Sequence, residues 1–273
     1  MAAALHTVVL LGAGRVAQHL GPALAAAGYS VRHIWSRTAA SAAALAGRLP
    51  GATSGTSLIS LPAADLYLLV LPDAAVADVA GRARFAAEAV VAHTAGALPL
   101  AVLSGLPQVQ AGVFYPLQTF SPGRVIDWRT VPLCLEAADA ATYARLEEVA
   151  RRLSHEVRPV DSAQRLHLHV AAVFACNFTN HLLGIGHALA TEAGLPFELL
   201  HPLVQETVSK ALAAPAFTVQ TGPALRHDAP TLARHEQALA GHAAWQQLYK
   251  LLTQSIQQAA ASSGVNKPDG SPL

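Results

Sequence analysis

Short apolar runs alternate with alanine-rich stretches of helical spacing from residue 7 to about residue 159. Apolar runs of this length are typical of buried strands, and their alternation with helices is typical of a parallel sheet built from βαβ units. The predicted strands are residues 7–11, 30–35, 66–71, 89–93, 108–114, 131–136 and 156–160. The predicted helices between them are residues 17–27, 39–48, 74–80 and 140–153.

The alternation stops after residue 161, where long helical patterns follow one another. Breaks between these patterns fall at Gly194, Pro215 and the turn at 221–223. The predicted helices are residues 163–193, 196–213, 231–241 and 242–261. We therefore predict an α/β sheet domain over residues 1–160, an all-helical domain over residues 161–261 and a disordered tail over residues 262–273, which is rich in Ser, Gly and Pro.

The composition argues against several classes of partner. The 273-residue chain is 52% hydrophobic and 13% charged, with a formal net charge of +1, so we expect it to bind neither nucleic acid nor a membrane surface. Cys134 and Cys176 are far apart and predicted to be reduced, as in a cytoplasmic protein. We expect no signal peptide, because Arg15 follows the first apolar run, and no membrane span, because polar residues interrupt the apolar stretch 170–189.

A glycine-rich turn joins the first predicted strand to the first predicted helix. In the sequence Gly12-Ala13-Gly14-Arg15-Val16-Ala17, Gly12 permits a tight turn, Gly14 lets a pyrophosphate approach the backbone, and Ala17 is the third small residue, where the helix packs on the strand. The N-terminus of the helix would then face the phosphates. A turn that only connects a strand to a helix is the alternative, but the strand–turn–helix context favours dinucleotide binding.

The end of the second predicted strand indicates which dinucleotide is bound. NAD sites place Asp or Glu there, whereas this chain has Ser36-Arg37-Thr38 and no acidic residue before Asp65. An arginine flanked by hydroxyls suits a 2′-phosphate, so the predicted cofactor is NADP. Three further strand ends either line the nicotinamide side of the site or are ordinary turns. They are Leu71-Pro72-Asp73, His93-Thr94-Ala95-Gly96 and Phe114-Tyr115-Pro116-Leu117.

The helix predicted from residue 163 has a polar stripe on an otherwise apolar surface. Six residues fall on this stripe at helical spacing, and they are His169, Val173, Cys176, Asn177, Asn180 and His181. Buried Asn and His side chains need hydrogen-bond partners. The stripe therefore either pairs with another helix or faces a ligand cavity, and the helix alone does not distinguish these.

Four segments of the chain are similar to a bacterial family, and they are residues 12–17, 115–120, 169–178 and 221–228. Its members have a Rossmann-like domain followed by a domain of unknown function (DUF2520), and they are distantly similar to pyrroline-5-carboxylate reductase and the F420-dependent NADP oxidoreductases. The resemblance implies a Rossmann parallel sheet that binds NADP, then an all-helical substrate domain of the 6-phosphogluconate dehydrogenase C-terminal type. It also implies a homodimer, which fits the large apolar surface of residues 196–261.

This chain departs from the wider superfamily at two positions. Hydroxyacid dehydrogenases of that superfamily have a lysine four residues before an asparagine, whereas here Val173 stands four residues before Asn177. The usual proton donor is therefore missing. The family pattern His-Thr-Ser-Gly has Ala95 in place of Ser, which removes a hydroxyl beside the expected nicotinamide.

We predict an NADP-dependent oxidoreductase that transfers a hydride to or from a small carbonyl, hydroxy acid or imine. His169 and His181 are the candidates for proton transfer, because imidazole titrates near neutral pH. Asn177 would orient the substrate or a water, and Arg226 would bind a substrate carboxylate while Asp228 holds it. The polar stripe and the turn at 221–228 are expected to face the nicotinamide.

Other interpretations stay open at this stage. Each histidine could be a core residue with satisfied hydrogen bonds. The chain could be a non-catalytic NADP sensor or partner-binding protein, or an imine reductase that depends on a substrate amine rather than a general acid. No metal site is predicted, because His167 and His169 point about 200° apart on a helix.

Overall fold

The computed structural model describes residues 5–263, and its eight strands form one sheet. The strands are β1 (Thr7–Leu11), β2 (Ser30–Trp35), β3 (Thr53–Gly55), β4 (Leu66–Leu69), β5 (Val90–His93), β6 (Gln110–Pro116), β7 (Leu133–Ala137) and β8 (Val157–Pro159). Their order is β3-β2-β1-β4-β5-β6-β7-β8, and all neighbours are parallel except β6 and β7. The strand order reverses between β1 and β4, which is where ligands bind in doubly wound sheets.

Helices cover both faces of the sheet. α1 (Arg15–Ala26), α2 (Ala39–Ala46) and α4 (Ala140–Leu153) pack on one face, and α3 (Asp73–Arg82) packs on the other. Successive residues of β1 point to opposite faces, so Leu10 lies in the core under α1 while Val9 lies in the core under α3. Both cores exclude water, which explains why β1, β4 and β5 are almost continuous apolar runs.

The seven predicted strands and the α/β fold class are confirmed, with two differences. β7 runs antiparallel to β6, because the chain between them, residues 117–132, contains only the 3₁₀ turn Trp128–Thr130 and no crossover helix. β3 was not predicted. It is three polar residues, Thr-Ser-Gly, at the edge of the sheet, and so lacks the apolar pattern by which a strand is recognised.

The second half of the chain is helical, as predicted. Its helices are α5 (Ser162–Ala172), α6 (Thr179–Glu192), α7 (His201–Ala213), α8 (Ala229–Ala238) and α9 (Ala243–Ser263), and a π-helical turn at Val173–Phe178 joins α5 to α6. The chain forms two compact units that divide at Asn177, so α5 belongs to the sheet unit. The predicted tail lies outside the described residues from residue 264 onward.

The segment Ser162–Glu192 is the one described helix that is long and apolar enough to cross a membrane, judged by its 31 residues and composition alone. Arg165 in this segment is fully buried and pairs with Glu136 of β7, which attaches α5 to the sheet. An arginine held in this way is not available to lie at a lipid interface. The absence of a membrane span stays a prediction.

Candidate functional site

The first predicted glycine lies where three strand ends meet. Gly12 follows β1, has a backbone φ of +129°, and donates its amide to the carbonyl of Trp35 at 2.8 Å. A Cβ at Gly12 would lie 2.0 Å from the carbonyl oxygen of Val70. Only glycine fits this position, so the tight turn predicted from the motif is present.

The second glycine and the first turn of α1 form an open cradle. Gly14 is the N-cap of α1, and a Cβ added there would meet no atom within 4 Å. Arg15 and Val16 begin the helix, whereas Ala17 is fully buried against the sheet. The free amides of the first helical turn therefore face open space, as a bound pyrophosphate requires.

The end of β2 provides the predicted phosphate-binding residues. Ser36 donates its amide to Gly55 at 3.1 Å, Arg37 is exposed, and the Thr38 hydroxyl donates to Ser41 at 2.8 Å at the start of α2. Among the described residues, no carboxylate lies within ion-pair distance of Arg37 or Arg15. These cations and the open cradle fit the phosphates of NADP.

The ends of β4 and β5 lie at the same edge of the sheet as Gly12. Leu71 is half-buried, Pro72 is the N-cap of α3, and Thr94 donates its amide to the carbonyl of Leu69 at 3.2 Å. The ring of His93 is fully buried, and its Nδ1 accepts the Ala95 amide at 3.2 Å. His93 therefore shapes the loop after β5, and its ring is not exposed to a ligand.

Burial lowers the pKa of His93 to about 4, and the positive charge of Arg165 adds to this shift. The ring is therefore neutral at physiological pH. It acts as a hydrogen-bond acceptor for the backbone rather than as a cation for the cofactor.

A pocket of about 410 Å³ lies in the sheet unit between α5 and the segment that follows β6. Its lining residues are Tyr115, Leu117, Gln118, Thr119, Leu168, His169, Ala171, Ala172, Val173, Ala175, Cys176 and Asn177. None of them is an acid, an arginine or a lysine. The pocket is a mostly apolar surface with a few polar groups, which is typical of small-molecule sites.

Tyr115 and His169 form the polar centre of this pocket. The Tyr115 hydroxyl lies 3.1 Å from His169 Nδ1, and the two rings pack edge to face with their centroids 6.2 Å apart. Tyr115 is buried at the end of β6, and burial raises its pKa to about 12. Its phenol therefore keeps its proton at neutral pH.

The loop after β5 packs directly against this pair. A Cβ at Gly96 would lie 2.6 Å from His169 Nδ1 and 3.0 Å from Tyr115 Cζ. The end of β5, the end of β6 and α5 therefore meet at one point, at the carboxyl edge of the sheet where the dinucleotide turn also lies.

The π-helical turn brings two further residues to the pocket. Cys176 and Asn177 lie in this turn and line the pocket together with His169 and Val173. Single π turns are rare and occur often at functional sites. Of the predicted stripe, the structure therefore brings four residues into one pocket, His169, Val173, Cys176 and Asn177, whereas Asn180 and His181 do not line it.

The other two predicted catalytic residues lie in the helical unit. His181 is exposed on α6, and Arg226 is exposed in the turn before α8. Asp228 does not hold Arg226 as expected. Its carboxylate caps α8 by accepting the Thr231 amide at 3.2 Å, and these bonds to Thr231 lower the pKa of Asp228.

Sequence reasoning missed Arg165, and it named Tyr115 and Gly96 within strand ends that could line the site without giving either residue a role of its own. The side chain of Arg165 is fully buried, pairs with Glu136, and donates to the carbonyls of Leu98 and Val160. Tyr115 and Gly96 lay within or beside motifs already singled out, but their contact with His169 depends on the packing of α5. The signal that could have identified Arg165 is its position on the same helix, one turn before His169.

Comparisons with known proteins agree with this architecture. A model of the Rossmann-like domain matches residues 1–118, and a model of the domain of unknown function DUF2520 matches residues 131–256. A candidate NADP oxidoreductase of Bacteroides fragilis, known from a crystal structure, is 39% identical, with a TM-score of 0.84 over 93% of this chain and 98% of that one. No curated protein sequence matches the chain.

The fold and the dinucleotide turn define the class of proteins with a Rossmann-like domain followed by a helical region. Within that class, the chain belongs to the family that joins a Rossmann-like domain to a DUF2520 domain.

More distant structures share the fold. A reductive aminase of Aspergillus terreus, solved with NADPH and ethyl-5-oxohexanoate, is 20% identical, with a TM-score of 0.67 over 98% of this chain and 97% of that chain. An imine reductase of Streptomyces aurantiacus is 18% identical, with a TM-score of 0.59 over 95% of this chain and 96% of that chain. At these identities the likeness extends to the fold alone.

Proposed function

We propose that the protein is an NADP-dependent oxidoreductase that reduces the imine or carbonyl group of a small substrate. The observation that carries this proposal is the Tyr115–His169 pair in a pocket at the same sheet edge as the dinucleotide turn. β6, which carries Tyr115, lies three strands from β1, and adjacent strands are about 4.8 Å apart, so an extended dinucleotide can span the distance of about 14 Å from the turn to the pair. When bound, NADPH supplies a hydride.

The chain's own residues then have separable roles. Gly12, Gly14 and the first turn of α1 hold the pyrophosphate, and Arg37 with its two hydroxyl neighbours holds the 2′-phosphate. His169 supplies a proton to the substrate oxygen as the carbonyl carbon gains the hydride. Asn177 orients the substrate from the π-helical turn.

The lining of the pocket favours an uncharged substrate. It contains no arginine or lysine to anchor a carboxylate, and burying an unpaired carboxylate is costly. The keto ester bound by the Aspergillus terreus enzyme is also uncharged. A role for Arg226 with 2-keto acids stays a second candidate, because Arg226 is exposed and, among the described residues, forms no ion pair with a carboxylate within 4.0 Å.

Val173 favours one alternative function. It lines the pocket where related dehydrogenases have lysine, so a non-catalytic NADP sensor is the competing proposal. NADPH oxidation by uncharged ketones, 2-keto acids, and ketones mixed with amines separates the two. Tight NADPH binding without turnover of any of these substrates would establish the sensor.

His169→Gln tests the proton-transfer role, and His167→Gln is its matched control. His167 lies on the same helix, but it is exposed and its Nδ1 contacts the carbonyl of Ala163. Loss of a general acid lowers turnover by about 10²- to 10⁴-fold, so we expect this for ketones with the first variant only. Reduction of an iminium substrate, which already carries the proton, should be less affected.

Arg37→Asp tests the cofactor. Charge-assisted hydrogen bonds contribute about 1.5 to 3 kcal/mol, so the variant should bind NADPH about 10- to 150-fold more weakly while its affinity for NADH changes little. Arg48→Asp, an exposed arginine just beyond α2, is the control. Equal affinity of the unmodified protein for the two cofactors in a fluorescence titration would contradict the assignment to NADP.

A further inference from the structure

We infer that Tyr115 is the positioning residue of His169, and that Gly96 is required because any side chain at that position would separate the two. This inference rests on the proposed reduction chemistry. The phenol binds Nδ1 of the imidazole and so leaves Nε2–H as the group that donates to the substrate. Neither Tyr115 nor Gly96 was recognised from the sequence as part of the proton-transfer apparatus.

The direction of the hydrogen bond follows from the state of the phenol. Tyr115 is buried, and burial raises its pKa to about 12, so its oxygen carries a proton at neutral pH. His169 Nδ1 is the one hydrogen-bond partner of that hydroxyl among the described residues. A neutral imidazole must accept this proton at Nδ1, which places its own proton on Nε2.

His169 Nε2 is free to serve the pocket. It has no hydrogen-bond partner within residues 5–263, although His169 lines the pocket. The other groups that act electrostatically on Tyr115 are Cys134 of β7, Arg165 of α5 and Asp73 of α3. Arg165 is paired with Glu136. Tyr115 is the residue that forms a hydrogen bond with the imidazole of His169.

The pair can stay bonded through the reaction. When His169 is protonated, its Nδ1–H donates to the phenol oxygen, which accepts after its own O–H has rotated away. As the substrate carbon gains a hydride, the Nε2–H bond of the imidazolium breaks and an O–H bond forms on the substrate, which leaves the ring neutral with its remaining proton on Nδ1, directed at the phenol oxygen. Solvent water returns the proton to the half-exposed ring, and no other reactant is needed.

Gly96 is required for space rather than for backbone conformation. The backbone φ of Gly96 is not in the positive range that six other glycines of residues 5–263 adopt. Alanine at this position would therefore add no backbone strain. The added Cβ would lie 2.6 Å from Nδ1 and 2.8 Å from Cγ of His169. Both distances are too short for real atoms, so the imidazole would have to leave the phenol.

Kinetics provide the first test. We expect Tyr115→Phe and Gly96→Ala each to lower kcat for ketone reduction about 10- to 100-fold, the worth of a hydrogen bond to a charged ring. Both should lower iminium reduction much less, because that substrate already carries its proton. Tyr143→Phe on α4 and Gly81→Ala on α3, where an added Cβ meets nothing within 4 Å, are the controls. Equal losses with both substrates would overturn the inference.

Nuclear magnetic resonance of the full chain tests the pair without substrate. Long-range ¹H–¹⁵N spectra, with His169→Gln identifying the ring signals, should show one neutral tautomer, protonated at Nε2. The Tyr115 ¹³Cζ signal should change in His169→Gln, which removes the imidazole, and Gly96→Ala should change it in the same direction. A neutral ring protonated at Nδ1 would overturn the inference. If the expected spectra occur in a protein without turnover, the proposed function fails while the pairing stands.

Discussion

The sheet unit and the helical unit differ in what they bury. In the sheet unit, β4 and β5 are entirely buried, and its two cores are filled from the chain's own helices. In the helical unit, α6, α7 and α8 contain no buried residue. Large apolar side chains there are exposed, among them Leu199, Leu203, Leu212 and Phe217.

The apolar residues of the two units therefore have different structural roles. Scattered exposed apolar residues are normal, but a surface with many of them marks an interface. The sheet unit satisfies its apolar pattern within one chain, whereas the helical unit carries apolar faces that need another surface. We propose, as the sequence predicted, that this surface belongs to a second copy of the chain in a homodimer.

The largest expected effect comes from placing a charge on that face. Leu199 is 63% exposed and lines an apolar depression of about 390 Å³ in the helical unit. In a symmetric dimer Leu199→Glu would bury two unpaired carboxylates, each at a cost of several kcal/mol. We expect light scattering at micromolar concentration to show the mass of a monomer.

Val125→Glu is the matched control for that prediction. Val125 is 98% exposed, but it belongs to a loop of the sheet unit and not to the helical unit. It should leave the mass unchanged. A protein that is monomeric without substitution, or a Leu199→Glu variant that keeps the mass of a dimer, would contradict the proposed use of this face.

The next effect concerns the attachment of α5 to the sheet. Arg165→Met should leave Glu136 and the carbonyl of Leu98 without their partner, and breaking a buried ion pair costs about 3 to 5 kcal/mol. Arg151→Met removes an exposed pair with Glu147 on α4 and should cost less than about 1 kcal/mol. Urea unfolding measures both. Similar losses in the two variants would show that the buried pair contributes little.

The contrast between the two units also explains how much the sequence predicts. Strands β1, β4 and β5 were recognised because burial on both faces makes them apolar runs. The dinucleotide turn was recognised from its glycines, of which Gly12 cannot be replaced where the Val70 carbonyl approaches it. The direction of β7 was missed because no local pattern encodes pairing direction. It depends on the absence of a crossover helix in residues 117–132.

The site was predicted less completely than the fold. His169 and Asn177 were identified because polar residues on an apolar helix need partners. Tyr115 and Gly96 were named within candidate strand ends, but their contact with His169 was not predicted, because it depends on distances between α5, β5 and β6, which are separated by tens of residues. The π-helical turn was missed as well, since the helical spacing assumed for the stripe does not anticipate an extra residue in one turn.

The smallest expected effect is a dependence of stability on pH, and it comes from a histidine buried in the sheet unit. The His93 ring is fully buried, and burial, aided by Arg165, lowers its pKa to about 4, whereas an unfolded histidine titrates near about 6.5. Between these values the unfolded chain binds more protons than the folded protein. Stability is therefore complete above the unfolded pKa and falls as the pH decreases toward the folded pKa.

Unfolding in urea at pH 7.5 and pH 5 measures this contribution. The unmodified protein should lose about 2 kcal/mol of unfolding free energy between the two because of His93. His93→Gln cannot bind the proton, so its loss should be smaller by that amount, even if the variant is less stable at both pH values. His155→Gln removes an exposed histidine of the same unit and should keep the full loss. An equal pH dependence in all three proteins would show that His93 is protonated as easily in the folded protein as in the unfolded chain.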